Sequence, residues 1–196
     1  TLQKQLEQIV GKIILANPDG SALPLIETLL SGIVVKNSVK VQTKVVSCPN
    51  EPIEILGSDS ATALESGDTI GNVFSIKVPP SGVIYSATLW DFDDEGTQVD
   101  LEIFKEKIAD VAVDAAFAPT DYEGRSFLTE LNFFAFDDHG LFQTSEIKNI
   151  GKAYSAPNGL FWIQAVTRST PTIAAGVPHR IQLQILSDDP TWEAEA

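Results

Sequence analysis

The feature that most constrains the fold is a series of short apolar segments between residues 72 and 187, separated by glycine, proline and acidic turns. Within Gly82–Phe104, two alternating apolar and polar runs flank an acidic segment that ends in glycine, Asp91–Gly96. This pattern is typical of a β-hairpin. About eight such segments predict a mainly β protein, an antiparallel β-sandwich or jelly roll with one or two short helices and an N-terminal arm. The predicted strands of the body are Thr69–Val78, Gly82–Phe92, Thr97–Phe104, Leu128–Phe136, Ser145–Ile150, Lys152–Ser155, Gly159–Thr170 and His179–Leu186.

One segment between these strands has helical spacing instead. Residues Ile108–Ala118 are rich in alanine, and their apolar side chains recur at three- and four-residue intervals. This spacing predicts a short helix that ends at Pro119.

The first 48 residues have the character of an arm. Apolar residues recur at helical spacing over Leu2–Leu15. A second apolar run over Leu23–Val35 fits either a short helix or an extended segment, and Val39–Ser47 suits a strand or a strand-like linker. Such segments bury little by themselves, so we expect them to lie against a partner, another copy or the body. The predicted organisation is an arm (1–48), a β-sandwich body (49–189) and an acidic tail (190–196) whose Trp192 tucks back onto the body. The predicted interface residues are Leu2, Leu6, Ile9, Ile13, Leu25, Leu29, Val39, Val41 and Val45.

Charge is unevenly distributed along the chain. The net charge is −14 and the calculated pI is about 4.4. Residues 1–48 carry five lysines against three acidic residues, so the body is strongly acidic and the arm is mildly basic. An acidic chain is repelled by nucleic acid and by anionic membranes, and we expect neither as a partner. Leu2–Ala16 lacks the basic start of a secretory signal, and no apolar run is long enough to span a membrane, so we expect a protein made in the cytoplasm.

The sharpest chemical motif is a set of carboxylates at Asp91, Asp93, Glu95 and Glu102, with Gly96 between them. Their spacing is close to that of an EF-hand calcium loop, but the flanking segments are predicted strands. We therefore treat these residues as a weak calcium candidate and expect a solvated hairpin tip, with no cofactor or metal.

The sequence gives little support for catalysis. His139 and His179 are isolated from each other and lack metal-ligand or triad spacing, so we expect no enzyme activity. Cys48 is the only cysteine, and we expect it to be a buried structural thiol. The adjacent aromatic pairs Phe133–Phe134 and Phe161–Trp162 must point to opposite faces of their strands, which suggests cover from outside the core and favours an oligomer.

Several packing and turn motifs occur in an order that resembles a known class. They are the segments Gly82–Gly96, Val99–Phe104, Ala115–Asp121 (AAFAPTD), Lys152–Gly159 (KAYSAPNG) and Ala165–Thr172 (AVTRSTPT). Together they resemble the decoration (cement) or head-fibre type of structural protein from tailed-bacteriophage heads. The resemblance covers about half of the chain.

The resemblance implies a virion protein on the outer capsid surface that bridges neighbouring major capsid protein subunits, often as a homotrimer. Strand addition by Val39–Ser47 to a partner sheet is one mechanism for such bridging, and the arm could contact either the major capsid protein or another copy of this chain. The alternative function is a carbohydrate- or receptor-binding β-sandwich, for which Trp90, Tyr122 and Trp192 are the candidate aromatic platforms.

Overall fold

The computed structural model describes residues 43–55, 63–174 and 176–193. In these residues ten strands form two antiparallel sheets that pack as a sandwich, so the predicted fold class is confirmed. The strands are β1 (Lys44–Glu54), β2 (Thr69–Lys77), β3 (Ser81–Asp91), β4 (Val99–Phe104), β5 (Phe127–Phe133), β6 (Asp137–Asp138), β7 (Gln143–Ile147), β8 (Lys152–Ser155), β9 (Leu160–Thr167) and β10 (Arg180–Ser187).

The larger sheet has the order β1-β10-β3-β7-β6, and β8 pairs with β3 beside β7. The smaller sheet has the order β2-β9-β4-β5. β1, the first strand described, pairs with β10, the last, so contacts between the two ends of the described chain complete the larger sheet.

The core lies between the two sheets because alternate residues of each strand point inward. β10 shows this most clearly, since Ile181, Leu183 and Ile185 are fully buried while Gln182 and Gln184 face outward. The facing side chains of the smaller sheet include Val99, Leu101, Ile103, Leu131, Phe133, Phe161 and Ile163.

The adjacent aromatic pairs divide between the two faces of their strands as predicted. Phe133 is 1% exposed, whereas Phe134 is 71% exposed. Phe161 is fully buried against Tyr154, whereas Trp162 is half-buried on the outer side, where the Lys107 ammonium lies 5.5 Å from its ring.

The predicted hairpin over Gly82–Phe104 is wrong. β3 belongs to the larger sheet and β4 to the smaller one, so residues 92–98 carry the chain across the sandwich. The acidic turn pattern correctly predicts a break between two strands. Local alternation, however, does not show which strands β3 and β4 pair with.

The predicted helix over Ile108–Ala118 is also wrong. The backbone of this segment pairs with residues 67–69: the Thr69 amide donates to the Ala115 carbonyl, and the Phe117 amide donates to the Gly67 carbonyl. Ile108 is buried, and Phe117 packs edge-on against Phe104. Contacts with the outer face of the smaller sheet therefore outweigh the alanine-rich helix propensity of this segment.

The only helix in the described residues is α1 (Asp121–Gly124), a single turn that was not predicted. Thr120 and Glu123 form a capping box at its start. A Glu123 side-chain oxygen also accepts a hydrogen bond from the Ala109 amide at 2.7 Å, which ties α1 to the preceding segment. A single turn is far too short to cross a membrane.

β1 runs through the predicted arm boundary at residue 48, so residues 44–48 are paired within the sandwich. The thiol of Cys48 is buried as expected, and burial raises its pKa to about 12. Trp192 packs against the core, which agrees with the prediction that it tucks back. The strand predicted over Val39–Ser47 is confirmed for residues 44–47, which belong to β1. The predictions for Leu2–Leu15, Leu23–Val35 and residues 39–42 fall outside the described residues.

Candidate interaction surface

The outward-facing side of the larger sheet carries a continuous row of apolar residues, which we call the apolar row. The strand register aligns Val45 with Leu186, Leu186 with Val83, and Val83 with Ala153. The row therefore crosses four neighbouring strands, β1, β10, β3 and β8. Val45 is 53% exposed, and Tyr85 on the same strand as Val83 is 42% exposed.

The next residues along this face are polar but uncharged. Ser47 pairs with Gln184, and the Gln184 amide donates to the Ser47 hydroxyl at 2.9 Å. Gln182 pairs with Thr88, and its amide donates to the Pro49 and Asn50 carbonyls. We call these residues, together with the apolar row and Tyr85, the uncharged face.

Ion pairs border the uncharged face on two sides. On β7, the exposed Glu146 lies opposite Thr88 in the strand register and pairs with Lys148 at 3.1 Å. Arg180 pairs with Glu54, and its guanidinium lies 5.4 Å from the Phe92 ring. Between Val45 and this ion pair, the register-matched outward residues of the uncharged face carry no charge, although the chain has a net charge of −14. Depletion of charge is the compositional mark of the centre of a protein interface.

The edge of β1 is a second surface suited to a partner. β1 ends the strand order of the larger sheet, so within the described residues its outer edge pairs with no strand. A hollow of about 410 Å³ follows this edge, lined by Lys44, Val45, Val46, Ser47, Asn50 and Glu193. The Lys44 ammonium donates to the Trp192 carbonyl and lies 3.7 Å from the Glu193 carboxylate, which brings the acidic tail to one end of the hollow.

Of the predicted interface residues, Val45 is described, and it belongs to both surfaces. Leu2, Leu6, Ile9, Ile13, Leu25, Leu29, Val39 and Val41 lie outside the described residues.

The four carboxylates of the calcium candidate are not brought together. Asp91 is fully buried and accepts hydrogen bonds from the Asp93, Gly96 and Thr97 amides. Glu102 lies instead on the outer face of the smaller sheet, opposite Glu130. The expectation of a solvated tip is wrong for Asp91. Its carboxylate is buried and holds the backbone amides of residues 92–98, which we call the crossing segment.

His179 lies beside Asp91 in the interior. Its ring is fully buried, with Nε2 3.5 Å from the Asp91 carboxylate. Burial lowers the pKa of His179, and the nearby Asp91 and Asp93 only partly oppose that shift. His139 is exposed at the β6–β7 turn, where its ring stacks on Phe142 and Nε2 lies 3.0 Å from the Thr144 hydroxyl. The two histidines therefore lie in unrelated environments.

A half-open cleft of about 300 Å³ lies on the outer side of the smaller sheet. Phe104, Phe117 and Phe127 form its apolar wall, and Glu102 and Arg168 form its polar wall. Burial raises the pKa of Glu102 to about 6, helped by Glu130 directly across the strand pair and opposed by Arg168. The Arg168 guanidinium also pairs with Asp100. Sequence reasoning missed this cleft because it depends on the pairing of β4 with β5 and β9.

The three proposed carbohydrate platforms do not form one site. Trp90 is half-buried beside Arg180 at the start of β10, whereas Trp192 follows the opposite end of that strand. Tyr122 is 72% exposed on α1, beside the smaller sheet.

Comparison with known proteins does not assign the chain to a class. No protein-family model matches it, and no curated protein matches it significantly.

Proposed function

We propose that this chain is a virion structural protein of a tailed phage. In this proposal it decorates and cements the outer capsid surface as a homotrimer and bridges neighbouring major capsid protein subunits. The observation that carries the proposal is the outer edge of β1, which pairs with no strand among the described residues and borders a hollow of about 410 Å³. The β-sandwich and the resemblance of its turn motifs to decoration proteins support the same assignment.

Strand addition at β1 is the proposed mode of attachment. An extended segment of the capsid protein would pair with residues 44–48 and extend the larger sheet by one strand. Each new backbone hydrogen bond contributes only about 1 kcal/mol, so a single contact is weak. Binding of many copies to one lattice raises the overall avidity, and the linkage of three subunits in a trimer raises it further. The acidic body then faces solvent and is repelled by DNA.

The test is co-sedimentation of the full chain with undecorated phage heads. Proline is substituted singly at Val46 and at Ser47, since neighbouring residues of a strand direct their amides to opposite edges. One variant loses an amide that pairs with β10 and is destabilised. The other loses an amide that faces the hollow, stays folded and is expected to lose binding to heads. Leu141→Ala, at a fully exposed turn far along the chain from β1, is the surface control.

Two results would count against this proposal. Failure of the unmodified chain to sediment with heads would overturn the assignment to a decoration protein. Normal sedimentation of the folded proline variant would overturn strand addition at β1.

The cleft on the smaller sheet supports carbohydrate binding as a second candidate function. Sugars stack their C–H faces on aromatic rings and donate hydroxyl hydrogen bonds to carboxylates, and Phe127 and Glu102 offer these two groups in one cleft. A glycan panel compares the chain with Phe127→Ala and Glu102→Gln, using Tyr122→Ala as the control outside the cleft. Binding that both cleft variants abolish would favour this function, and absence of binding by the unmodified chain would exclude it for the glycans tested.

A further inference from the structure

We propose that the uncharged face is the docking site for residues 1–42 of a neighbouring copy of this chain. The contact repeats in one direction around the oligomer, so that residues 1–42 of each copy cover the face of the next copy. This inference concerns self-assembly alone and does not depend on attachment to a capsid.

Charge restricts which part of a second copy can occupy this face. Almost all of the net charge of −14 lies in the body, so two bodies repel each other. Residues 1–42 carry four lysines against three acidic residues and are the least acidic long segment of the chain. These residues also include the apolar runs Leu2–Leu15 and Leu23–Val35, which bury little surface by themselves. An apolar, slightly basic segment therefore fits an uncharged face on an acidic body better than another body does.

The dimensions of the two surfaces agree. The apolar row spans four strands, which are spaced at about 4.8 Å and so cover about 14 Å. In a helix, Leu2, Leu6, Ile9 and Ile13 would form a stripe about 16 Å long. One helical segment could therefore cover Val45, Leu186, Val83 and Ala153 together.

The segment before β1 is long enough to reach a neighbouring copy. Residues 33–43 contain neither glycine nor proline, and Val39, Val41 and Thr43 continue the alternation of a strand. An extended segment of 11 residues reaches about 36 Å, which is close to the diameter of a body of this size.

The experiment measures the mass of the full chain by light scattering at micromolar concentration. The face variant is Tyr85→Glu with Ala153→Glu, two exposed positions at which a carboxylate is accommodated in the folded body. The matched control is Phe134→Glu with Leu141→Glu, which adds the same charge at exposed apolar positions elsewhere. The arm variant is Leu6→Asp with Ile9→Asp. We expect an oligomer for the unmodified chain and the control, and a monomer of 21.2 kDa for the face and arm variants.

Mixing the two monomeric variants distinguishes docking of residues 1–42 onto a neighbouring copy from docking onto the same copy. The face variant still has an intact arm and the arm variant still has an intact face. One intact contact can therefore form between them, and the mixture is expected to contain a species of twice the monomer mass. A mixture that stays monomeric would show that the arm covers its own body and would overturn the proposal. A monomeric unmodified chain, or a face variant that keeps the mass of the oligomer, would also overturn it.

Discussion

Replacement of Asp91 by asparagine should destabilise the protein far more than the same replacement at Asp93. The Asp91 carboxylate is fully buried, and its two oxygens accept three backbone amides of the crossing segment: Asp93 and Gly96 at 2.9 Å, and Thr97 at 3.3 Å. An asparagine side chain has one carbonyl oxygen, so its NH₂ group must face at least one of these amides donor to donor.

The magnitude follows from these contacts. A hydrogen bond to a charged group contributes roughly 1.5–3 kcal/mol, and leaving a buried amide without an acceptor costs about 1–3 kcal/mol. Removal of the buried charge offsets part of this loss, so we expect Asp91→Asn to lower the free energy of unfolding by about 3 kcal/mol. Asp93 is partly exposed and accepts the Ala174 amide through one oxygen, which asparagine retains. For Asp93→Asn we therefore expect a change of about 0.5 kcal/mol or less.

The assay is urea denaturation followed by tryptophan fluorescence, to which the neighbouring Trp90 contributes. An unchanged slope with a lower midpoint would show a change in stability and not in the denatured state. Equal midpoints for Asp91→Asn and Asp93→Asn would refute the reasoning, because they would mean that the crossing segment does not depend on the buried carboxylate.

His179 adds a pH dependence to the same measurement. Burial lowers its pKa in the folded protein below the usual 6.5, so the unfolded chain binds the proton first as the pH falls. The free energy of unfolding therefore decreases below about pH 6.5. In His179→Gln the free energy of unfolding should decrease less between pH 7 and 5.5 than in the unmodified protein. An equal decrease in both proteins would contradict the assignment to His179.

Three further predictions concern other parts of the sandwich. Glu102→Gln should raise the free energy of unfolding by about 1–2 kcal/mol at pH 7.5, since the folded pKa of about 6 lies above the usual 4.5, and denaturation at pH 4 should show no gain. Cys48 should resist a thiol reagent at pH 8 in the native protein and react at once in urea, because its thiol is buried with a pKa of about 12. Gly82→Ala should lower the free energy of unfolding by about 2 kcal/mol in urea denaturation, because the new Cβ would lie 2.5 Å from the Leu186 carbonyl oxygen.

The strands could be predicted from the sequence because alternation decides burial directly. Ile181, Leu183 and Ile185 alternate with glutamines, and all three are fully buried in β10. The hairpin error shows what alternation leaves out. Asp91 stands in an acidic, glycine-containing segment that reads as a solvated turn, and only the tertiary structure turns its carboxylate inward to bind the amides of a crossing between sheets.

The helix error over Ile108–Ala118 has a related cause. Alanine and regular apolar spacing favour a helix in isolation, but the same residues also suit a segment that lies flat on another surface. The amides and carbonyls of this segment pair with residues 67–69, more than 40 positions earlier in the chain. The cleft was missed for the same reason, since Glu102 and Glu130 face each other only through the register of β4 and β5.

The uncharged face is also invisible along the chain, because its apolar row draws on positions 45, 83, 153 and 186. Each of these residues is unremarkable alone, and only the strand register places them side by side. The nine positions of this face carry no charged side chain, although the chain as a whole is strongly acidic. This uncharged set follows the register of four strands and is bordered by the Arg180–Glu54 and Glu146–Lys148 ion pairs, an arrangement that fits the centre and rim of a covered surface. Because β1 borders both this face and the hollow, variants at Tyr85 and Ala153 test self-assembly, whereas proline at residues 46 and 47 tests attachment through the strand edge.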